Sequence, residues 1–244
     1  MKVFVQKVLN FLGYSINKIN KMPFEVSSEQ AADINFVSPF TLTSIERRFA
    51  LIKAVEHVIK NNIQGDFVEC GVWRGGSAML IALTLIRLGV FNRKIWLYDT
   101  FEGMPAPTGF DKSGHGVDAK IIFNKEVKNY GAWCYSSLKE VQNNLSKTQY
   151  SYDNFQFVVG KVEETIPSQM PNQICLLRLD TDWYESTKHE LKHLFPLLQK
   201  SGILIIDDYG DWQGARKAVD EFCEANASVF LNKIDHTGRL VIKV

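Results

Sequence analysis

Five apolar runs of strand length follow one another from residue 65 onward: "DFVEC", "KIWLYD", "FQFVVG", "ICLLRLD" and "GILIIDD". Runs this continuous belong to strands buried on both faces, the condition of a parallel sheet covered by helices. Helical stretches separate them, near 76–88, 133–145, 184–198 and 212–225. The alternation predicts an α/β fold, a doubly wound, mostly parallel sheet of Rossmann-like type. The chain closes with "SVFLNKID", the turn "HTG" and "RLVIKV", which reads as an antiparallel hairpin on that sheet.

Upstream of the sheet, "TSIERRFALIKAVEHVIKNN" reads as a helix. Thr43 and Glu46 form its capping box, and Ile45, Phe49, Ile52, Val55 and Ile59 its buried stripe. Residues 1–40 form an N-terminal helical segment, a lid or dimerisation element, and 41–244 the main domain. In that segment Val5, Val8, Leu9 and Leu12 recur near helical spacing among Lys2, Lys7, Lys18 and Lys21. Such a helix packs on its own domain or a second subunit, or lies on a membrane surface. The region 100–132, rich in Gly, Pro and Asp, reads as a long loop of the kind that closes a binding site.

Composition removes several functions. In 244 residues, 28 Lys and Arg nearly cancel 27 Asp and Glu, so the basic footprint of a nucleic-acid binder is missing. Cys70, Cys134, Cys175 and Cys223 stand far apart, without the C-x-x-C pairs of a zinc knuckle or a disulfide framework, which fits a reducing cytoplasm. No apolar run approaches the ~20 residues of a membrane span, and the N-terminus lacks the h-region of a secretory signal.

In open parallel sheets a ligand binds outside the carboxyl ends of the strands, where strand order reverses. The five runs end at Glu69 with Gly71, at Asp99, at Gly160, at Asp180 with Asp182, and at Asp207 with Asp208, so four of the five end in acid. In "VECGVWRGGSAML", Gly71 permits a tight turn, Gly75 and Gly76 allow a ligand to approach the backbone, and Ser77 opens a helix with its hydroxyl and free N–H groups. Tight packing of helix on strand is the plainer use of the same glycines. Asp99 suits the two hydroxyls of an adenosine ribose, or else caps a helix. After the third strand, Val162 and Glu163 are placed to flank an adenine. Charge separates the two adenosine ligands at issue. A pyrophosphate avoids a carboxylate such as Glu69, whereas the sulfonium and ammonium of S-adenosylmethionine tolerate or attract one.

Asp180, Asp207 and Asp208 on neighbouring strand ends would repel one another unless a cation sat among them. Hard oxygen donors of this kind suit Mg2+. Strand termination and helix capping is the plainer alternative for "IIDDYG", and Asp182 reads either as part of the cluster or as the cap of a helix starting at Trp183 or Tyr184. Two further motifs compete. "HELKH", His189 to His193, matches a zinc-protease pattern, but Leu191, Leu194, Phe195 and Leu198 form the buried stripe and turn both histidines to the other face. "YSSLK", Tyr135 to Lys139, matches the dyad of NAD(P)-dependent short-chain dehydrogenases, which makes an oxidoreductase the main alternative. A protein that binds S-adenosylmethionine without consuming it is another.

Taken together, "GDFVECGVWRGGSAML", "LYDTFEGMPAPT", "LRLDTDWYEST" and "GILIIDDYGDWQGARKAVDEF" resemble the macrocin O-methyltransferase family over the chain from about residue 40. The resemblance implies a class I methyltransferase fold and methylation of a sugar hydroxyl with S-adenosylmethionine and magnesium. It implies that Glu69, Gly71 and Asp99 hold the cosubstrate, that Asp180, Asp207 and Asp208 hold the metal, and that the protein is a homodimer. "ECGVWRGGS" is also similar to the turn of catechol O-methyltransferases, with Trp73 and Ser77 at cosubstrate-contacting positions; the lysine that follows their metal aspartate is Trp183 here. Asp180 is the candidate general base as well as a metal ligand, with His115 an outside candidate.

Overall fold

The computed structural model describes residues 22–226 and 229–244; the N-terminal stripe from Val5 to Leu12 lies outside them. Two helices precede the sheet, α1 (Ser28–Val37) and α2 (Ile45–Lys60). Next come β1 (Asp66–Cys70), α3 (Gly76–Arg87), β2 (Ile95–Asp99), α4 (Ala119–Tyr130), α5 (Leu138–Ser146) and β3 (Phe155–Val159). The chain continues through the short α6 (Val162–Thr165), β4 (Ile174–Leu179), α7 (Tyr184–Leu194), β5 (Leu198–Ile206), α8 (Gln213–Ala225), β6 (Asn232–Lys233) and β7 (Arg239–Ile242).

All five apolar runs are strands, in the order β3-β2-β1-β4-β5-β7-β6. The first five are parallel, and the closing hairpin joins them antiparallel through β7 against β5. Strand order reverses between β1 and β4. Alternating side chains divide the core in two. Phe67, Leu97, Leu176, Ile203 and Ile205 pack under α1, α2 and α3. Val68, Tyr98, Leu177, Leu204 and Ile206 face the opposite layer with Leu191, Leu194 and Val219. Every residue of β4 is buried, and burying each of its leucines stabilises the fold by about 1.5–3 kcal/mol.

The boundaries differ from the expectation where a local residue competes better. Ser44, not Thr43, caps α2 by accepting the Arg47 N–H, so no Thr43–Glu46 box forms. The buried face of α2 is centred on Leu51, Ile52, Val55 and Val58. Before α2, a 3-10 turn at Ser38–Phe40 follows α1, whose Ile34 and Val37 are fully buried. The 100–132 region is not one long loop, since Asp118 caps the 12-residue α4 within it. Helix α5 starts at Leu138 because Ser137 caps it there. Helix α7 stops at Leu194, where a 3-10 turn containing Pro196 leads into β5.

Candidate active site

A cavity of about 330 Å³ opens at the carboxyl ends of β1, β2, β3, β4 and β5, over the reversal point. The turn after β1 forms one wall. Gly71 has φ +81, and a Cβ there would overlap the Asp180 carbonyl, so the two strand ends approach only because this position is glycine. Glu69, Trp73 and Ser77 join Gly71 in the lining. Gly75 does not: at φ +86 it precedes α3 and faces Val141 and Leu145, so its role is packing. Gly76 lines the cavity and lies against the Phe40 carbonyl.

Asp99 reaches the same cavity by a route not foreseen. Its Oδ2 accepts the N–H groups of Val72 and Trp73 at 2.7 and 3.1 Å, and its Oδ1 that of Phe101 at 2.7 Å. The carboxylate thus holds the glycine turn to β2 and caps no helix. Val162 and Glu163 form the far wall, with Glu163 accepting the Ser186 hydroxyl at 2.7 Å.

Asp180, Asp207 and Asp208 come together as expected, with one oxygen from each within 4.8 Å of the others. Beneath them lies Arg178, which sequence reading passed over. Glu69 and Arg178 are register partners on β1 and β4. Asp180 is two residues further on, immediately past the end of β4, so period-2 alternation carries it to the same face. Arg178 Nη1 donates to Glu69 Oε1 at 2.7 Å and lies 2.8 Å from Asp180 Oδ2, while Nη2 donates to Asp207 Oδ1 at 2.8 Å. Arg47, from α2, pairs with the other oxygen of Asp207 and with Asp235 at 3.1 Å. A charge inside "LLRLD" was the available signal, since a buried guanidinium requires carboxylate partners.

Crowding and burial raise the acids. Asp180 rises to about 7, through burial first and the neighbouring Asp207 second, against the pull of Arg178. Asp208 is pushed well up by burial and by Asp182 and Asp180. Asp182 rises to about 8, through burial and the Asp180 charge, with Asp208 and the Trp212 indole opposing. Asp182 is also not a helix cap. It stands at φ +65, its N–H donates to Asp208 Oδ2 at 3.2 Å, and the first N–H of α7 is met instead by Asp111 Oδ1 at 2.8 Å. Trp73, Cys134 and Asp182 are three non-glycine residues with left-handed backbone in the lining of this one cavity, a clustering of strain typical of functional sites.

Glu69 is 1% exposed, and burial lifts its carboxyl to about 8 despite Arg178. Its Oε2 has no hydrogen-bond partner among the described residues.

The competing motifs fall outside this cavity. Tyr135 is exposed and, like Lys139 and His115, does not line it. His189 and His193 lie half-buried on α7 with their rings 4.5 Å apart and tilted at 45°, His189 within 3.0 Å of the Ile166 carbonyl, and the buried members of "HELKH" are Glu190 and Leu191. Among the described residues the aspartate trio is the one cluster suited to a metal. All four cysteines are free, as expected.

Residues 6–242 match the Macrocin-O-methyltransferase (TylF) family. The chain belongs to this family. It is accordingly an enzyme of the O-methyltransferase class. It is 33% identical over 199 residues to 8-demethyl-8-(2,3-dimethoxy-alpha-L-rhamnosyl)-tetracenomycin-C 4'-O-methyltransferase of Streptomyces olivaceus, covering 81% of this chain and 73% of that one. It is 33% identical over 199 residues to mycinamicin III 3''-O-methyltransferase of Micromonospora griseorubida, covering 81% and 76%. The solved O-methyltransferase NovP superposes with TM-score 0.74 at 30% identity, over 84% of this chain and 82% of that one. A class I methyltransferase fold, as expected, is the architecture of this family member. No helix among the described residues is long and apolar enough to cross a membrane.

Proposed function

We propose that this family member is an S-adenosylmethionine- and magnesium-dependent O-methyltransferase acting on a hydroxyl of a sugar or a glycosylated natural product. One observation carries the reading: the aspartate trio and the glycine turn share a single cavity. The unpartnered, buried Glu69 Oε2 fits the ammonium group of the cosubstrate, whose ionic demand would hold that carboxyl charged. The Asp99 side chain, with Val162 and Glu163 across the cavity, fits the adenosine end. S-adenosylmethionine supplies an electrophilic methyl group on sulfur.

Asp180, Asp207 and Asp208 are the magnesium ligands in this reading. Their hard oxygens suit the ion, and the arginines on Asp180 and Asp207 leave lone pairs available. Magnesium, when bound, supplies a Lewis acid that makes a hydroxyl easier to deprotonate. Asp180, the sequence's candidate for both ligand and base, is tethered to Arg178. Asp182 lines the same cavity, beside Asp208, and pairs with no arginine among the described residues, so the proton-accepting role passes to it. Asp182 takes the hydroxyl proton as the acceptor oxygen gains the methyl group, the carbon–sulfur bond of the sulfonium breaking to leave neutral S-adenosylhomocysteine. The homodimer suggested by the family resemblance belongs to the same reading, and light scattering on the eluted protein tests it.

Calorimetry with S-adenosylmethionine, S-adenosylhomocysteine and NADH, each with and without magnesium, tests the cosubstrate and metal. Binding of both sulfur ligands and not NADH is expected, followed by a gain of one methyl on a glycoside acceptor by mass spectrometry. Turnover that survives exhaustive chelation would exclude the metal role, and binding of NADH alone would exclude the whole assignment.

A further inference from the structure

Three tryptophans meet at the cavity mouth. Trp183, 2% exposed, donates its indole N–H to the Pro105 carbonyl at 3.0 Å and is fixed. Trp212 packs on it at 5.0 Å and 77°, Trp133 at 5.8 Å and 59°, and Trp133 meets Trp212 at 5.8 Å and 69°. Trp133 and Trp212 are only partly buried and both line the cavity, beside Asp182 and Asp208. The 100–132 region holds this group in place. Asp111, wholly buried, accepts the Tyr184 N–H at 2.8 Å, and the Gln213 N–H donates to the Lys112 carbonyl at 2.8 Å. Large indole surfaces that are braced from behind and open in front are ready contact area, with little side-chain entropy left to lose on binding.

The charge of the cavity limits what can use that surface. Of the eight carboxylates that line it, Glu69, Asp99, Glu163 and the aspartate trio are assigned above to the cosubstrate and magnesium, which leaves Asp182 and Asp211; of the two cationic side chains in the lining, Lys161 adjoins the Val162–Glu163 wall and Arg47 is committed to Asp207 and Asp235. A diphosphate brought to this mouth would meet the carboxylates of Asp182 and Asp211 with no free guanidinium in the lining to receive it, and that repulsion is itself a source of selectivity. A neutral ring with one apolar C–H face and hydroxyls on its edge meets both demands.

We propose that Trp212 and Trp133 are the acceptor-positioning wall of this enzyme, and that the ring they receive is an uncharged glycoside rather than a nucleoside-diphosphate sugar. This rests on the methyltransferase reading for what happens to the ring, but it concerns binding alone. Saturation-transfer NMR on the full chain with S-adenosylhomocysteine and magnesium tests it, using methyl α-L-rhamnopyranoside, methyl α-D-glucopyranoside and dTDP-L-rhamnose as probes. At least one methyl glycoside should bind, and the nucleotide sugar should bind no more tightly. Trp212→Ala should weaken the glycoside by about tenfold, the loss commonly seen when an aromatic anchor is truncated, with part of it restored in Trp212→Phe. Trp133→Ala should act in the same direction. Calorimetric affinity for S-adenosylhomocysteine should stay unchanged in all three, which also reports that they fold. Equal glycoside binding in Trp212→Ala, tighter binding of dTDP-L-rhamnose, or no glycoside binding would overturn the proposal. Glycoside binding without methyl transfer would instead count against the transferase reading and leave this wall standing.

Discussion

Arg178 stands directly opposite Glu69 across β4 and β1 and donates to its Oε1 at 2.7 Å. The same guanidinium contacts Asp180 and Asp207, so one buried cation joins the acid assigned to the cosubstrate to two assigned to the metal. Breaking such a pair from one side leaves uncompensated carboxylates in the core, at a cost of about 3–5 kcal/mol. Arg178→Met should lower the stability of the metal-free protein by this order in urea titrations, and a change below ~1 kcal/mol would show that the network contributes little.

The raised acids make stability depend on pH in a definite direction. Asp180 at about 7, and Asp182 and Glu69 at about 8, hold protons in the folded chain that the unfolded chain releases near pH 4. Folding therefore binds protons between these limits, and stability falls as pH rises through this window. Magnesium should reduce the slope, leaving the share of Glu69, and release protons on binding. Melting temperatures of the metal-free protein that stay level from pH 5 to about 8 would contradict this.

Asp180 and Asp182 should separate in function. Asp180→Asn should weaken magnesium binding in calorimetry. Asp182→Asn should leave magnesium and S-adenosylhomocysteine affinities close to those of the parent and reduce kcat about 10²-fold or more, the usual size of a general-base contribution. Near-normal turnover in Asp182→Asn would return the base to Asp180.

Gly71→Ala tests the close approach of the β1 and β4 ends. The new Cβ would overlap the Asp180 carbonyl, and its backbone at φ +81 is in the left-handed region, a strain of about 1–3 kcal/mol before any clash. Reduced stability together with lost binding of S-adenosylhomocysteine is expected. An unaltered melting temperature would mean that the turn has room to relax.

The sequence alone carried the sheet, because burial on two faces writes itself into continuous apolar runs such as "GILIIDD". It also carried most of the strand-end acids, because a carboxylate where an apolar run stops has few structural uses. What it could not convey is which side chains meet. Register across β1 and β4 sets Glu69 against Arg178, and α2 lays Arg47 over Asp207 from 160 residues away. Neither follows from local pattern, since a strand reads the same whichever neighbour it pairs with. Asp182 and Gly75 make the same point in opposite directions. The left-handed backbone at Asp182 brings it into the acid cluster while Asp111 caps α7 in its place, and Gly75 turns away to pack on α5. Local propensity determined the elements; long-range pairing decided which charges share the buried site, because a charge removed from water is stabilised only by the partners that tertiary structure brings to it.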